Sequence, residues 1–326
     1  MAQVAGIKIA EFGGPEKMSF TRWETPTPGE GEILVRHEAI GVNFIDTYHR
    51  TGLYAVPLPS GIGLEAAGTV EAVGPGVSSP AVGDRVAYCS GPIGAYAEAH
   101  VIKADRCVTL PDWLASETIA ASMLKGLTSQ YLIRQIHRCG PDDTVLFHAG
   151  AGGVGQIAVQ WLKHLGSTVI ATAGGAEKCA IARALGADHV IDYRSEKVAP
   201  RVREITGGKG VRVVYDGVGK DTWLESLDSL QTRGLMVSFG NASGPVTGVD
   251  VGILAAKGSL FLTRPTLVHY TATRESLQGA ADDYFAALKS GAVKIADPTV
   301  YALKDAVQAH TDLQGRKTTG SLILKP

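Results

Sequence analysis

Beyond residue 140 the chain alternates between two hydrophobic periods. Thr144-Val145-Leu146-Phe147-His148 is a short apolar run of strand length, followed by a glycine-rich turn. Val154, Ile157, Ala158, Trp161, Leu162 and Leu165 then recur at i, i+3, i+4, i+7, i+8 and i+11, one apolar helix stripe, stopped by Gly166. The pattern continues with a strand over 167–172, a helix over 176–185 ended by Gly186, and strands over 189–192 and 211–216. A helix over 222–230 opens with Thr222-x-x-Glu225, which reads as a capping box. Strands over 234–239 and 259–263 bring the total to roughly six. Strand and helix in this alternation predict an α/β fold, a parallel, doubly wound sheet with helices on both faces.

The first 125 residues have another texture. A strand over 32–38 follows the turn signal Pro26-Thr27-Pro28-Gly29, one over 68–74 is closed by Gly74-Pro75-Gly76, and one over 83–88 follows a further turn. Short strands with turns this dense predict an irregular barrel or sandwich. The tail, 265–326, holds one helix (276–290) and a final apolar strand (321–324), too little for a domain, so it is expected to pack back on the first. The expected division is 1–127 with 265–326, and 128–264. At 326 residues, a usual domain of about 150 residues agrees with two.

Composition narrows the function classes. Thirty-one Lys and Arg against 32 Asp and Glu leave a net charge of −1, without the global positive field that nucleic acids or anionic membranes attract. Hydrophobic residues at 45% and charged residues at 19% describe a globular chain with ample core. No apolar run reaches the roughly 18 residues of a spanning helix. The first ten residues lack a basic segment followed by an apolar one, so secretion is not expected. The four cysteines (Cys89, Cys107, Cys139, Cys179) form no C-x-x-C pair, which fits neither a disulfide framework nor a zinc knot and suits a reducing cytoplasm.

Glycine is the outlier, and its placement carries chemistry. In His148-Ala149-Gly150-Ala151-Gly152-Gly153-Val154-Gly155, the glycines at 150, 152 and 155 satisfy GxGxxG between a predicted strand and a predicted helix. The first is expected to permit the tight turn, the second to let backbone approach a pyrophosphate, the third to let helix pack on strand. The helix N-terminus would then offer N–H groups to phosphate. NAD-binding versions place an acidic side chain on the ribose roughly 20 residues on. Here that stretch reads Ala171-Thr172-Ala173-Gly174-Gly175-Ala176-Glu177-Lys178. Small residues and Lys178 suit a 2′-phosphate, so NADPH is expected; Glu177 as a ribose acceptor would have to act from inside the helix. His148 reads as a hydrogen-bonded strand-end residue rather than a metal ligand.

Several segments together carry a family resemblance over essentially the whole chain: Gly41-Val42-Asn43-Phe44-Ile45-Asp46-Thr47-Tyr48, Gly61-Ile62-Gly63-Leu64-Glu65-Ala66-Ala67-Gly68, Lys125-Gly126-Leu127-Thr128, the glycine turn, Val213-Val214-Tyr215-Asp216, residues 234–241 and Thr263-Arg264-Pro265. The sequence resembles the zinc-free quinone oxidoreductase branch of the medium-chain dehydrogenase/reductase superfamily, and more distantly zeta-crystallin. That resemblance implies a Rossmann nucleotide-binding domain beside a β-rich, GroES-like irregular barrel that carries the catalytic residues. It implies Asn43, Asp46, Tyr48 and Tyr54 around the nicotinamide and its acceptor. It also implies cofactor contacts at Asn43, Tyr48, Thr128, Gly152, Gly153, Val154, Gly174, Lys178, Tyr193, Phe239, Gly240, Phe261, Arg264 and Arg316. Gly217 follows Asp216, so no hydroxyl contact is available there.

Zinc-dependent members carry Cys where Asn43 stands and His where Leu64 stands, and catalytic zinc wants three Cys, His or carboxylate ligands. Only Glu65 remains, so no metal is expected. Without a Lewis acid the natural chemistry is hydride transfer to an acceptor that tolerates negative charge, such as a quinone held in a cleft between the domains. An NADPH-dependent reductase of alkenals or enones would use the same slot. A crystallin-like or RNA-binding protein is the reading of another class, which the near-neutral charge disfavours. The apolar strand at 259–263 would be a sheet edge, and relatives pair this edge, so a homodimer is expected.

Overall fold

A computed structural model describes residues 2–315 and 317–326; Arg316, one of the expected cofactor contacts, lies outside the described residues. In chain order the strands and helices are β1 (Gln3–Ile9), β2 (Met18–Glu24), β3 (Glu32–Val42), α1 (Phe44–Thr51), β4 (Ser60–Gly61), β5 (Glu65–Val73), β6 (Arg85–Tyr88), β7 (Ala99–Lys103), β8 (Val108–Thr109), α2 (Ser116–Ala120) and α3 (Met123–Gln130). There follow β9 (Thr144–Phe147), α4 (Gly153–His164), β10 (Thr168–Ala173), α5 (Ala176–Ala184), β11 (His189–Asp192), α6 (Val198–Ile205), β12 (Val211–Asp216), α7 (Trp223–Ser229), β13 (Leu230–Ser238), α8 (Gly252–Ala256) and β14 (Phe261–Thr263). Last come α9 (Leu267–Tyr270), α10 (Arg274–Lys289), β15 (Thr299–Ala302), α11 (Ala306–Gln314) and β16 (Leu322–Lys325). No helix among the described residues is long and apolar enough to cross a membrane.

The described residues fall into two compact units, 2–124 with 272–281 and 295–326, and 125–271 with 282–294. The expected division placed the whole of 265–326 with the first unit. Instead α10 passes from the first to the second at Asp282. Burial of an aromatic explains this: Tyr284 is fully buried, tilted against Trp161 at 6.2 Å between ring centroids. A Cβ on Gly126 would come within 2.3 Å of the same tyrosine ring.

In the first unit β2-β1-β4 form a small sheet, and β15-β16-β3-β5-β6-β8 a larger one, with β7 also paired to β3. β3 anchors the core through Ile33, Val35, Ile40 and Val42, packed with Ile7, Val70, Tyr88 and Leu322. It runs four residues beyond the expected strand because Gly41 lets it pass close to its neighbours. A Cβ there would sit 2.3 Å from both the Ala120 carbonyl and Glu65 Oε2.

In the second unit the strands run β11-β10-β9-β12-β13-β14, and every pairing is parallel. This is the doubly wound order that the alternation predicts. Helix α4 buries Ile157, Ala158, Trp161 and Leu162, the middle of the expected stripe, and Gly166 leaves it at φ +87°. The last strand starts at Phe261 rather than 259, since Ser259 turns through φ +55°. The capping box at α7 is not formed. Thr222 Oγ1 donates to Asp216 Oδ2 at 2.7 Å, and Glu225 accepts the Ala199 N–H at 2.7 Å, so tertiary partners outcompete the local motif.

Candidate active site and dinucleotide site

Asn43 follows β3 and caps α1. Its backbone N–H donates to Asp46 Oδ2 at 2.8 Å, which fixes the first turn, and Gly52 closes the helix at φ +81°. The Asn43 side-chain amide donates to Glu65 Oε2 at 2.6 Å, while Glu65 Oε1 accepts the Leu124 N–H at 2.6 Å. Asn43, Asp46 and Glu65 are all buried. Tyr48 and Tyr54, both half-buried, meet edge to face at 5.2 Å, and Phe44 packs on Tyr48 at 5.7 Å. The four expected reacting-centre residues therefore share one helix and the loop after it. From the sequence, Glu65 stands out only as a leftover metal-ligand position; its placement makes it the anchor of Asn43. The signal was legible, since a lone carboxylate in a strand of small residues must have partners.

In the second unit, the glycine turn joins β9 to α4. The left-handed residue is Ala149, at φ +53°, rather than Gly150. Gly150 is needed for approach, because a Cβ would lie 2.7 Å from that of Ala171. Gly155 is tighter still, with the Ala149 carbonyl 2.3 Å from where its Cβ would be. Gly152 is merely snug, at 3.1 Å from that oxygen, and no side chain caps the helix it opens. The turn thus leaves backbone N–H groups available to an anion. Val154 lies in the first turn of α4, and Thr128 is buried on α3. Lys125 was not expected as a site residue. Its Cδ and Cε lie 2.9 Å from the Cβ position of Gly153, so its side chain runs along the glycine turn.

At the carboxyl ends of β10 and β11, Tyr193 lies over Gly174, its hydroxyl 2.4 Å from where a Cβ would be. Gly175 turns through φ +89° beneath Arg194, whose Nη1 is 3.1 Å from its Cβ position, and Lys178 follows in the first turn of α5. Asp192, at the end of β11, is engaged by backbone. Its Oδ1 accepts the Gly175 and Arg194 N–H groups, which hold the carboxyl below its usual range. Phe239 stacks tilted on Phe147 and covers Gly217, while Gly240 presses against the Gly217 backbone. Phe261 stands apart: it opens β14 opposite Leu235 and is 55% exposed. Arg264, just past that strand, donates to the Pro265 carbonyl at 3.2 Å.

His148 is a buried structural residue. Its ring bridges Thr172 Oγ1 (3.1 Å) and Ser226 Oγ (3.0 Å), and Ser226 in turn donates to Asp216. Burial holds its pKa below the usual value. Asp216 also accepts the Val218 and Gly219 N–H groups, tying β12 to the loop after it.

The catalytic-zinc positions do not fit a metal. Asn43 presents an N–H to Glu65, and Leu64 has no donor atom. Among the described residues, one other group could gather round a cation: His137, Cys139 and Asp143, with ligand atoms within 4.8 Å of one another. His137 Nε2 already pairs with Asp143 at 2.9 Å, and Cys139 with the Tyr215 hydroxyl at 3.1 Å.

Residues 29–112 match the family described as alcohol dehydrogenase GroES-like domain, and 153–290 the family described as zinc-binding dehydrogenase. A quinone oxidoreductase of Pseudomonas aeruginosa is 54% identical over 98% of this chain and 99% of its own. A 2-haloacrylate reductase of a Burkholderia species is 44% identical over 99% of both. The crystal structure of Escherichia coli quinone oxidoreductase complexed with NADPH superposes with a TM-score of 0.97 at 52% identity, over the whole of both chains. With a GroES-like unit, a doubly wound nucleotide unit and relatives matched end to end, the chain belongs to the quinone oxidoreductase family of the medium-chain dehydrogenases/reductases.

Proposed function

We propose that this chain is an NADPH-dependent quinone reductase that works without a metal ion. The observation that carries the cofactor is the carboxyl edge of β9–β11. There a glycine cradle opens toward an uncapped helix N-terminus, and Lys178 and Arg194 stand where an acidic side chain would meet a ribose. Such a surface fits a pyrophosphate and a 2′-phosphate. Bound NADPH supplies the hydride. Lys125 and the turn would hold its phosphates, and Tyr193, Gly174 and Lys178 would hold its adenosine end.

The chain's own reacting surface is then the Asn43–Tyr54 segment. Glu65 turns the Asn43 amide, Asp46 caps the helix, and the edge-to-face tyrosines offer an aromatic surface with hydroxyl donors for a carbonyl oxygen. A quinone accepts hydride as a delocalised anion, so hydrogen bonds suffice and no strong acid is required. The exposed apolar residues of β14, Phe261 and Leu262 at 55% and 39%, support a homodimer across that edge. Four buried free thiols suit a cytoplasmic setting.

NADPH oxidation measured against a series of quinones and a series of alkenals, before and after chelation, tests this. Quinones should lead and chelation should change nothing. Faster turnover of activated double bonds, the chemistry named for the Burkholderia relative, would reassign the substrate. Loss on chelation would reassign the mechanism.

A further inference from the structure

Helix α11 reaches the reacting segment through a line of buried polar side chains, all in the first unit. Arg50 Nη1 lies 2.8 Å from His310 Nδ1, and His310 Nε2 lies 3.0 Å from the Tyr96 hydroxyl. That hydroxyl donates to Asp46 Oδ2 at 2.9 Å, the same oxygen that accepts the Asn43 N–H. Arg50 is 1% exposed and the other three are fully buried.

Donor and acceptor arithmetic leaves one arrangement. A guanidinium only donates, so His310 Nδ1 must accept, and the ring proton sits on Nε2. Tyr96 has one proton and gives it to Asp46, so its oxygen must accept from Nε2–H. The two ends of the line select the same tautomer independently. Burial first, and the Arg50 charge second, push His310 down to about 3, which keeps the ring neutral at pH 7. Arg50 is itself pinned by the Gly13 carbonyl (3.0 Å) and Gln314 Oε1 (2.8 Å), so the line has a fixed far end.

We infer that His310, locked as the Nε2–H tautomer by Arg50, is a positioning residue that aims the Tyr96 hydroxyl at Asp46 and so holds the Asn43–Tyr48 turn in its reactive orientation. The inference rests on the reading of that segment as the reacting surface. Were the proton on Nδ1, it would oppose Arg50, and Tyr96 could turn its own proton to the ring and release Asp46.

Two substitutions and one spectrum test it. In His310→Gln the amide oxygen can replace Nδ1 and the amide nitrogen Nε2; in His310→Leu both partners are lost. The wild-type ring should show the Nε2–H tautomer in 15N NMR at neutral pH. His310→Leu should lower kcat roughly tenfold, the scale of one hydrogen bond. Its NADPH affinity should stay within about twofold, because the glycine turn and Lys178 lie on other elements. His310→Gln should recover to within about threefold of wild-type kcat. In an Asp46→Asn background, His310→Leu should lower kcat no further, though the thermal midpoint still falls.

An Nδ1–H or doubly protonated ring would overturn the proposal. So would a His310→Leu enzyme with full kcat and a lowered thermal midpoint, which marks a purely structural role. A His310→Gln enzyme as slow as His310→Leu but natively stable would do the same. The NMR measurement needs no acceptor, so a failure of quinone reduction would sink the functional reading and leave the tautomer to be decided separately.

Discussion

The side-chain amide of Asn43 and the carboxylate of Glu65 meet at 2.6 Å inside the first unit, both shielded from solvent. The other Glu65 oxygen holds the Leu124 backbone, so one carboxylate ties the start of α1 to the start of α3. Glu65→Ala leaves two buried donors without an acceptor, at about 1–3 kcal/mol each. We expect a loss of about 2–6 kcal/mol in denaturant unfolding, with turnover falling as Asn43 loosens. A loss below about 1 kcal/mol would show that water or another acceptor replaces the carboxylate.

The glycine turn separates packing from binding. A Cβ at Gly155 would meet backbone at 2.3 Å, so Gly155→Ala must open the turn and should cost about 1–3 kcal/mol of stability. At Gly152 the nearest atom is 3.1 Å away, so Gly152→Ala should unfold within about 1 kcal/mol of wild type. On the proposed reading its methyl group would stand where phosphate approaches, and NADPH affinity should fall tenfold or more, roughly 1.4 kcal/mol. Equal stabilities for the two variants, or unchanged NADPH binding by Gly152→Ala, would contradict this division.

Legibility followed the range of each interaction. The α4 stripe, the strand ends at Asp192 and Asp216 and the stop at Gly166 are local patterns, and they stand as read. The capping box failed because Thr222 and Glu225 found partners elsewhere, and β3 outran its turn signals because Gly41 admits close neighbours. Lys125 and Arg194 lie beside Gly153 and Gly175 only once β9, β10 and β11 are aligned. Arg50 and His310 are 260 residues apart, and no periodicity links them.

Two buried imidazoles set the acid limit of stability. Burial drives both His37 and His310 down to about 3, against about 6.5 in an unfolded chain. Below pH 6.5 the unfolded chain takes up protons that the folded one refuses. Stability is therefore complete above that pH and lost as pH falls toward 3. Each ring should remove about 2 kcal/mol between pH 7 and pH 5. His310→Gln should be less acid-sensitive than wild type by about that amount in urea unfolding; identical pH dependence would contradict the neutral buried ring.

Cofactor choice should rest on Lys178. It stands in the first turn of α5 after Gly174 and Gly175, and Asp192 Oδ1 is occupied by the Gly175 and Arg194 N–H groups, while the acidic neighbour Glu177 sits inside the helix. A charge-assisted contact contributes roughly 1.5–3 kcal/mol, so Lys178→Ala should weaken NADPH about 10- to 100-fold. NADH affinity should barely move. Equal losses for both nucleotides would remove Lys178 from the 2′-phosphate and leave Arg194 as the cation to examine.

The acceptor side turns on Tyr48. Its ring is held by Tyr54 at 5.2 Å and Phe44 at 5.7 Å, so Tyr48→Phe keeps the packing and deletes only the hydroxyl. If that hydroxyl donates to a quinone oxygen, its removal should slow turnover roughly tenfold, or about 1.4 kcal/mol, the scale of one hydrogen bond. NADPH binding should be nearly unchanged, because the proposed phosphate contacts lie on other elements. A general acid contributes more, typically ~10²–10⁴-fold. A thousandfold loss with NADPH still bound would therefore make Tyr48 a proton donor. The substrate would then be an enone or alkenal, whose carbon must be protonated before the product can leave.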